Sequence, residues 1–379
     1  MTGTPALEFN PFLPEVHVDP YPLYQRLRAE DPVHRNGPGF WLLTRYADVV
    51  AVLRHPRMSR DPRRSAQYQR IREANGGQDP WADAAPSMLF VDPPDHTRLR
   101  TLVNKAFTPP AIARLRARVE ELVDELLDRT AGAGEMDLVD DLAYPLPVTV
   151  ICELFGVPPA DRGRFRDWSG ALVHLLDPLV AEDMMERALG ARAALRAYLG
   201  ELVAERRARP QRDLLTALVA GHETTVNLIA NGTLALLGHP AERARLAADP
   251  ALAASAVEEL LRFDSPVQLT SRHATDDLEV GGQLVREGET VIAALGAANR
   301  DPAQFPDPDR LDLARAPNRH VAFGGGIHFC LGAPLARMEA QIALTALLRR
   351  HPDLTPGEAP PTWRDTVTLR GLATFPVRF

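Results

Sequence analysis

The chain has 379 residues, enough to bury a large core, and its 45% hydrophobic and 25% charged residues describe a soluble globular protein. A net charge of −7 argues against nucleic acid as a partner, two cysteines far apart in sequence argue against a disulfide framework, and no apolar run reaches the length of a membrane span. Met1 to Ala6 lacks a charged-then-apolar leader, so, with no membrane span and no disulfide framework, the expected location is the cytoplasm.

From the N-terminus, Asp19-Pro20-Tyr21 opens a helix through Leu27, Phe40 to Thr44 is strand-like, and Tyr46 to Leu53 reads as helix. Arg57 to Met88 is polar, with Asn75-Gly76-Gly77 as a loop. Asp95 is placed to cap a helix on which His96 and Arg100 stand four residues apart on one face. A basic pair so placed either holds a carboxylate or belongs to a solvated face. Ala111 to Leu127 is an amphipathic helix, and Pro147 to Phe155 is a buried one in which Cys152 is a core residue. Helices continue from Asp161 to Leu176 and from Asp183 to Arg209.

Leu214, Leu215, Leu218, Ile229, Leu234 and Leu237 define a long apolar helix that stops at Gly238-His239-Pro240. Its middle, Ala220-Gly221-His222-Glu223-Thr224-Thr225, places small and polar residues where a buried helix needs bulk, and such violations tend to mark function. Gly221 opens room against the helix, Thr224 can bond the Ala220 carbonyl and leave space for a small ligand, and Glu223 is a proton source. The plain alternative is a kinked helix with an inward threonine. Further on, Ala256 to Arg262 is helical with Glu259 and Arg262 at i,i+3, and Arg272 begins a segment feeding a hairpin around Gly281-Gly282.

The stretch Phe323-Gly324-Gly325-Gly326-Ile327-His328-Phe329-Cys330-Leu331-Gly332-Ala333-Pro334 is the most informative. Three glycines permit positive φ values and close approach to a flat ligand. Pro334 and the helical spacing of Leu335, Met338, Ile342 and Ala346 place Cys330 just before a helix N-terminus. Free N–H groups and the dipole there favour thiolate, which can bind a metal. The competing readings are a tight turn with a structural cysteine and, a poorer fit without Gly-Lys-Ser/Thr, a phosphate cradle.

Read as Phe-Gly-x-Gly-x-His-x-Cys-x-Gly, from Phe323 to Gly332, this stretch resembles the haem-binding loop of the cytochrome P450 family. The segment Ala220 to Thr225 resembles the family's oxygen-activation motif and Glu259-x-x-Arg262 its Glu-x-x-Arg, and five such motifs run in family order from about Asp19 to Phe379. The resemblance implies a mainly α fold with small β-sheets, one triangular-prism helical domain over residues 1–379 around a buried haem b. It makes Cys330 the axial ligand of the iron, with Phe323 beside its sulfur, Gly324, Gly326 and Gly332 shaping the loop, and His328 packed beside the haem. His96, Arg100, Arg272 and His320 match propionate ligands, and Ala220 and Gly221 lie against the cofactor. Thr224 would order dioxygen and its water, and Glu223 would relay protons. Glu259, Arg262 and Arg310 would form a buried charge network holding the cysteine loop.

The same resemblance places substrate contacts at Leu172, Val173, Leu175 and Leu176 on a covering helix pair, at Val267 to Leu269, and at Thr366 to Leu369, including Thr368. It puts a mobile loop over the pocket within residues 57–88. The implied activity is a haem-thiolate monooxygenase that hydroxylates or epoxidises a small hydrophobic secondary metabolite, such as a polyketide, terpenoid or peptide. Electrons would come from NAD(P)H through ferredoxin reductase and ferredoxin, because the chain carries no flavin or iron–sulfur segment. Arg98, Lys105 and Arg337 would form the basic face for the ferredoxin, on a monomer. The chain departs from the family where Asp213 to Leu218 runs straight into Val219, without an additional helix and loop. Two rival readings are a peroxide-driven haem enzyme, against which Glu223-Thr224 argues, and a non-catalytic haem- or ligand-binding protein.

Overall fold

Apolar residues at helical spacing dominate the sequence, and helices dominate the structure, a computed structural model that describes residues 7–37, 39–79, 87–105, 107–177, 182–206 and 214–379, without the side chains of 155, 182 and 202–221. The helix Leu214–Gly238 runs through the core against Pro145–Phe155, Ala253–Phe263 and Ala333–Arg350. Val226, Leu228, Ile229, Ala230 and Leu236 on it are all buried, as expected of a helix that is apolar on every side. It stops at Gly238, and Pro240 opens the next helix, Pro240–Ala248. Gly156, at φ 66°, closes Pro145–Phe155 by donating to the carbonyls of Cys152 and Glu153. Cys152 is fully buried in this core, and burial pushes its thiol up to about 11.

A five-stranded sheet forms the second layer, in the spatial order Val33–Asn36, Phe40–Leu43, Thr290–Ala294, Leu269–Ala274, Met58–Ser59. Phe40–Leu43 pairs parallel with Thr290–Ala294, which pairs antiparallel with Leu269–Ala274, Arg272 standing opposite Val291. Side chains alternate across the strand, so Trp41 and Leu43 enter one apolar cluster while Phe40 and Leu42 enter another with Tyr24 and Leu27. Both faces are covered, which is why Phe40-Trp41-Leu42-Leu43 is a continuous apolar run.

Local details depart from the sequence expectations. Asp95 is the first residue of Asp95–Asn104 rather than its cap, because Pro94 is already helical and no side chain caps this end. Within the polar stretch from Arg57 to Met88, Ser65 Oγ accepts from the Tyr68 N–H and starts a helix, Ala66–Ala74, that ends just before Asn75-Gly76-Gly77. Asp161 to Leu176 divides into a 3₁₀ turn ending at Asp161, the helix Arg162–Leu172 and a second 3₁₀ turn, Val173–Leu176. The second covering helix is Glu182–Arg206; its expected end at Arg209 and the join at Asp213 lie outside the described residues. Among the described residues no helix is long and apolar enough to cross a membrane.

Candidate active site

The cysteine loop is shaped by backbone constraints. Gly324 and Gly326 sit at φ 70° and 66°, whereas Gly325 is extended, so two of the three glycines use the left-handed region. At Gly326 a Cβ would lie 2.5 Å from the Leu53 carbonyl oxygen, so the loop can lie against that helix only as glycine. The Cys330 N–H donates to the Phe323 carbonyl at 3.0 Å, which folds the loop back on itself. Its sulfur accepts backbone N–H bonds from Gly332 and Ala333 at the start of Ala333–Arg350. Burial pushes the Cys330 thiol up against the opposing pull of Gly332, Arg100, Ala333 and Arg337. The expected bias to thiolate is therefore outweighed in the protein alone, and a metal's charge is what would ionise this sulfur.

Cys330 lines a cavity of about 1620 Å³ of atom-free space, its mouth included. Phe323, Gly324, His328 and Gly332 line it from the cysteine loop, and His222, Thr224 and Thr225 from the long helix. Leu176, Val267, Leu269 and Thr368 line it as expected for a substrate wall, joined by Met88, Leu89, Leu228 and Leu369. Leu172 does not. It ends the helix Arg162–Leu172 with its side chain 2% exposed in the core, and the 3₁₀ turn that follows carries Leu176 to the cavity instead. Ala220 and Gly221 lie on the long helix, with the side-chain surroundings of both outside the described residues.

Basic side chains gather at one part of the cavity. Arg100 and His96 come from Asp95–Asn104, Arg272 from Leu269–Ala274, and Arg60 from the segment after Met58–Ser59. Arg60 bonds the Ser271 carbonyl at 3.0 Å and Oγ at 2.8 Å, and Arg272 bonds the same carbonyl at 2.8 Å. Among the described residues none of these three guanidiniums makes an ion pair with a carboxylate. Burial and then the charge of Arg272 pull Arg60 down to about 9, and burial pulls Arg272 down to about 10 despite Asp92. His328 is held at about 2 by burial, then by Arg272, His96, Arg60 and Arg100. The rings of His96 and His328 are 4.3 Å apart, and Nε2 of each is buried without a hydrogen-bond partner. Such a cluster lacks an anion.

His320 is not part of it. Its Nε2 lies 3.1 Å from Glu258 Oε2, a carboxylate that Arg337 also holds, at 2.6 Å. The histidine that joins His96 in the cluster is instead His328, two residues before the cysteine, for which the sequence suggests packing alone. Arg60 was missed because nothing local distinguishes it from the other arginines of its segment. His222, also unforeseen, lines the cavity with Nε2 3.5 Å from Glu223 Oε1.

Behind the long helix, Glu223 is 1% exposed and is absent from the cavity wall. Its Oε1 accepts from Ser169 Oγ at 3.3 Å and its Oε2 pairs with Arg364. Burial alone would raise this carboxyl, but His222 and then Arg364 overcome it and hold it at about 2. The buried network near the cysteine loop also differs from expectation. Glu259 pairs with Arg262 at 2.8 Å, both fully buried, and its second cation is Arg315, at 3.1 Å. Arg310 offers only its backbone carbonyl, to Arg262 and Arg315, and its side chain is exposed.

A buried thiol at a helix start, an uncompensated cationic cluster and a polar break in the long helix around one cavity suit a metal that brings its remaining ligands as an anionic planar cofactor. Among the described residues no three His, Cys, Asp or Glu side chains gather to hold a metal unaided. Comparison with known proteins places the chain in such a class. A sequence profile described as Cytochrome P450 matches residues 211–374. The chain is 47% identical to "Cytochrome P450 107B1" of Saccharopolyspora erythraea, with 94% of each chain covered. It is 40% identical to "Polyketide biosynthesis cytochrome P450 PksS" of Bacillus subtilis, with 98% of each covered. Its structure matches ligand-free CYP164A2 of Mycobacterium smegmatis at a TM-score of 0.88 and 42% identity, over 97% of each chain. The chain belongs to the cytochrome P450 family and is a P450 monooxygenase, whose cofactor is haem iron and whose co-substrate is O₂.

Proposed function

We propose that haem b occupies the cavity with Cys330 as the axial ligand of its iron, and that the enzyme adds oxygen to a hydrophobic secondary metabolite by hydroxylation or epoxidation. The observation that carries this reading is the presence, around one cavity, of the Cys330 thiol and of three guanidiniums without carboxylate partners. Haem bound there supplies the binding and reductive activation of O₂ that no side chain can provide. Arg60, Arg100, Arg272, His96 and His328 hold its two propionates, which give the cluster the anions it lacks. Phe323, Gly324 and Gly332 let the loop approach the ring. Thr224 orients O₂ and an accompanying water, and Glu223, ionised in the resting protein, is the group that accepts and passes on a proton for them.

The substrate wall supports the substrate class: Leu176, Val267, Leu269 and Leu369 are apolar, and Thr368 adds a hydroxyl for orientation. A relative named for polyketide biosynthesis supports a polyketide-like molecule in particular. Electrons come from NAD(P)H through ferredoxin reductase and ferredoxin, in the cytoplasm, to a one-domain monomer. The acidic ferredoxin meets Lys105 and Arg98, both exposed, the latter in a surface pair with Asp95, rather than Arg337, which is half-buried against Glu258.

The test is the absorption spectrum of the reduced protein with carbon monoxide, for wild type and Cys330→Ser. A red-shifted thiolate Soret band that disappears in the variant is expected. A protein without haem, or the same band in both proteins, overturns the assignment.

A further inference from the structure

Arg60 stands apart from the other cations of the cavity because it is held by the loop that leads into Asp95–Asn104. Asp92 of that loop accepts the Arg60 N–H at 3.0 Å and pairs with Ser59 Oγ, which fixes the arginine's backbone. The guanidinium carbon lies 5.2 Å from the centre of the Phe90 ring, and Met88 and Leu89, just before Phe90, are cavity wall. Stacking of this kind covers a face of the cation and leaves its N–H edge open. Nη1 is tied to Ser271, whereas among the described residues Nε and Nη2 make no hydrogen bond. The two acids close in sequence are spent elsewhere. Asp61 clasps Arg63, Oδ1 at 2.9 Å from Nε and Oδ2 at 2.7 Å from Nη2. The charge of Asp92 supports Arg272, while Arg60 feels only burial and the repulsion of Arg272. Arg100 and Arg272, with the unpartnered Nε2 groups of His96 and His328, can already give a donor to each oxygen of two propionates. The Nε–Nη2 edge of Arg60 is therefore one donor pair more than the cofactor needs, and it is the edge whose geometry matches a carboxylate.

We propose that Arg60 anchors a carboxylate carried by the substrate, so that the molecule oxidised is an apolar acid whose body lies along Met88 and Leu89. This rests on the haem-enzyme reading and deepens it by naming the polar group that the substrate must carry. A neutral apolar molecule filling the cavity would strip water from a guanidinium that has no carboxylate, which is costly; an acid removes that cost and is held in one orientation by it.

Spin-state titration of the ferric holoenzyme at neutral pH tests this with two probes of matched shape that differ in charge, dodecanoic acid and dodecanamide. Wild type should bind the acid about 10- to 100-fold more tightly than the amide, the ratio that a hydrogen bond to a charged group supplies. Arg60→Met should bring the ratio close to one by weakening the acid while the amide keeps its affinity, and Arg60→Lys should restore much of the preference. Equal affinities in wild type, no spin-state change with either probe, or a preference that survives in Arg60→Met overturns the proposal. So does an Arg60→Met protein that binds both probes equally weakly or holds no haem, since the arginine then serves the fold or the propionates alone. The Soret band before any probe is added, and its shift with imidazole, report separately on haem and on access to the iron. Failure of the underlying reading is seen there and not in the ratio of the two affinities.

Discussion

Two buried charge clusters in this protein are built on contrary principles. Around Glu259, one carboxylate receives Arg262, Arg315, Asn318 Nδ2 at 3.0 Å and the Asp312 N–H at 3.1 Å, while the spare guanidinium donors end on the carbonyls of Asn299, Pro308 and Arg310. Every strong donor has an acceptor. Around Arg272, by contrast, three guanidiniums and two imidazoles meet without a carboxylate pair, and each is pulled down by burial. The closed cluster holds the fold together by itself; the open one is complete only with an anion from outside. Buried charge therefore marks a binding site here only where the hydrogen bonding is left unfinished.

The contrast breaks most visibly at Glu259. Glu259→Ala leaves Arg262 and Arg315 buried without their carboxylate, and loss of one partner from a buried pair costs about 3–5 kcal/mol. The urea midpoint should fall accordingly, and a change of less than about 1 kcal/mol would show the network to be dispensable.

Next in size is a pH effect at the edge of the open cluster. His273 is 6% exposed and is held at about 4, by burial first, then by Arg60 and Arg272 against Asp61 and Asp92. In the unfolded chain it titrates at about 6.5. Between these values the unfolded state binds a proton that the folded state refuses, so stability present above about 6.5 is lost as pH falls toward 4. The loss is roughly 3 kcal/mol. In His273→Gln, which can still bond Thr290 Oγ1, the urea midpoint should decline less steeply over this window. Parallel slopes in the two proteins would mean that the histidine is not excluded from protonation in the fold.

Arg272→Ala should separate the clusters by the sign of its consequences. A hydrogen bond to a charged group contributes about 1.5–3 kcal/mol, so haem should dissociate about 10- to 100-fold more readily, as followed by transfer to a haem-scavenging globin. The apoprotein's urea midpoint should not drop as it does for Glu259→Ala, because the cation removed was repelled by its neighbours. A large loss of apoprotein stability with haem retention intact would make the cluster structural after all.

What was legible in the sequence follows the range of the interactions. The cysteine loop and the polar break at Glu223-Thr224 are local patterns, so the residue types and spacing reveal them directly. The long helix and the helix after Cys330 show as apolar periodicity, and the strand at Phe40 shows as a short apolar run, whose two covered faces only the structure reveals. What escaped depends on contacts between distant segments. Arg60 reaches Ser271 across more than two hundred residues, Arg364 reaches Glu223 across 141, and neither sits in a pattern. His320 and His328 are both histidines beside the glycines, and only the loop's reversal at Gly324 and Gly326 decides which of them turns to the cavity. Leu172 and Leu176 look equivalent as one helix face until the 3₁₀ turn separates them.

The smallest expected effect concerns Arg310, and it is the sharpest check on the closed cluster. The segment Asp309-Arg310-Leu311 suggested this arginine as the third charge, yet its side chain is exposed and the network uses only its carbonyl, which any residue supplies. Arg310→Ala should therefore change stability by no more than about 0.5 kcal/mol. Arg315, five residues on, is 10% exposed, bonds both oxygens of Glu259 and reaches the carbonyls of Pro306, Asp307 and Arg310. Arg315→Ala should cost about 1–3 kcal/mol, since it leaves a fully buried carboxylate short of donors. Equal losses from the two substitutions would mean that charge near this loop matters and its exact partner does not; unequal losses in the order given would fix the network on Glu259, Arg262 and Arg315.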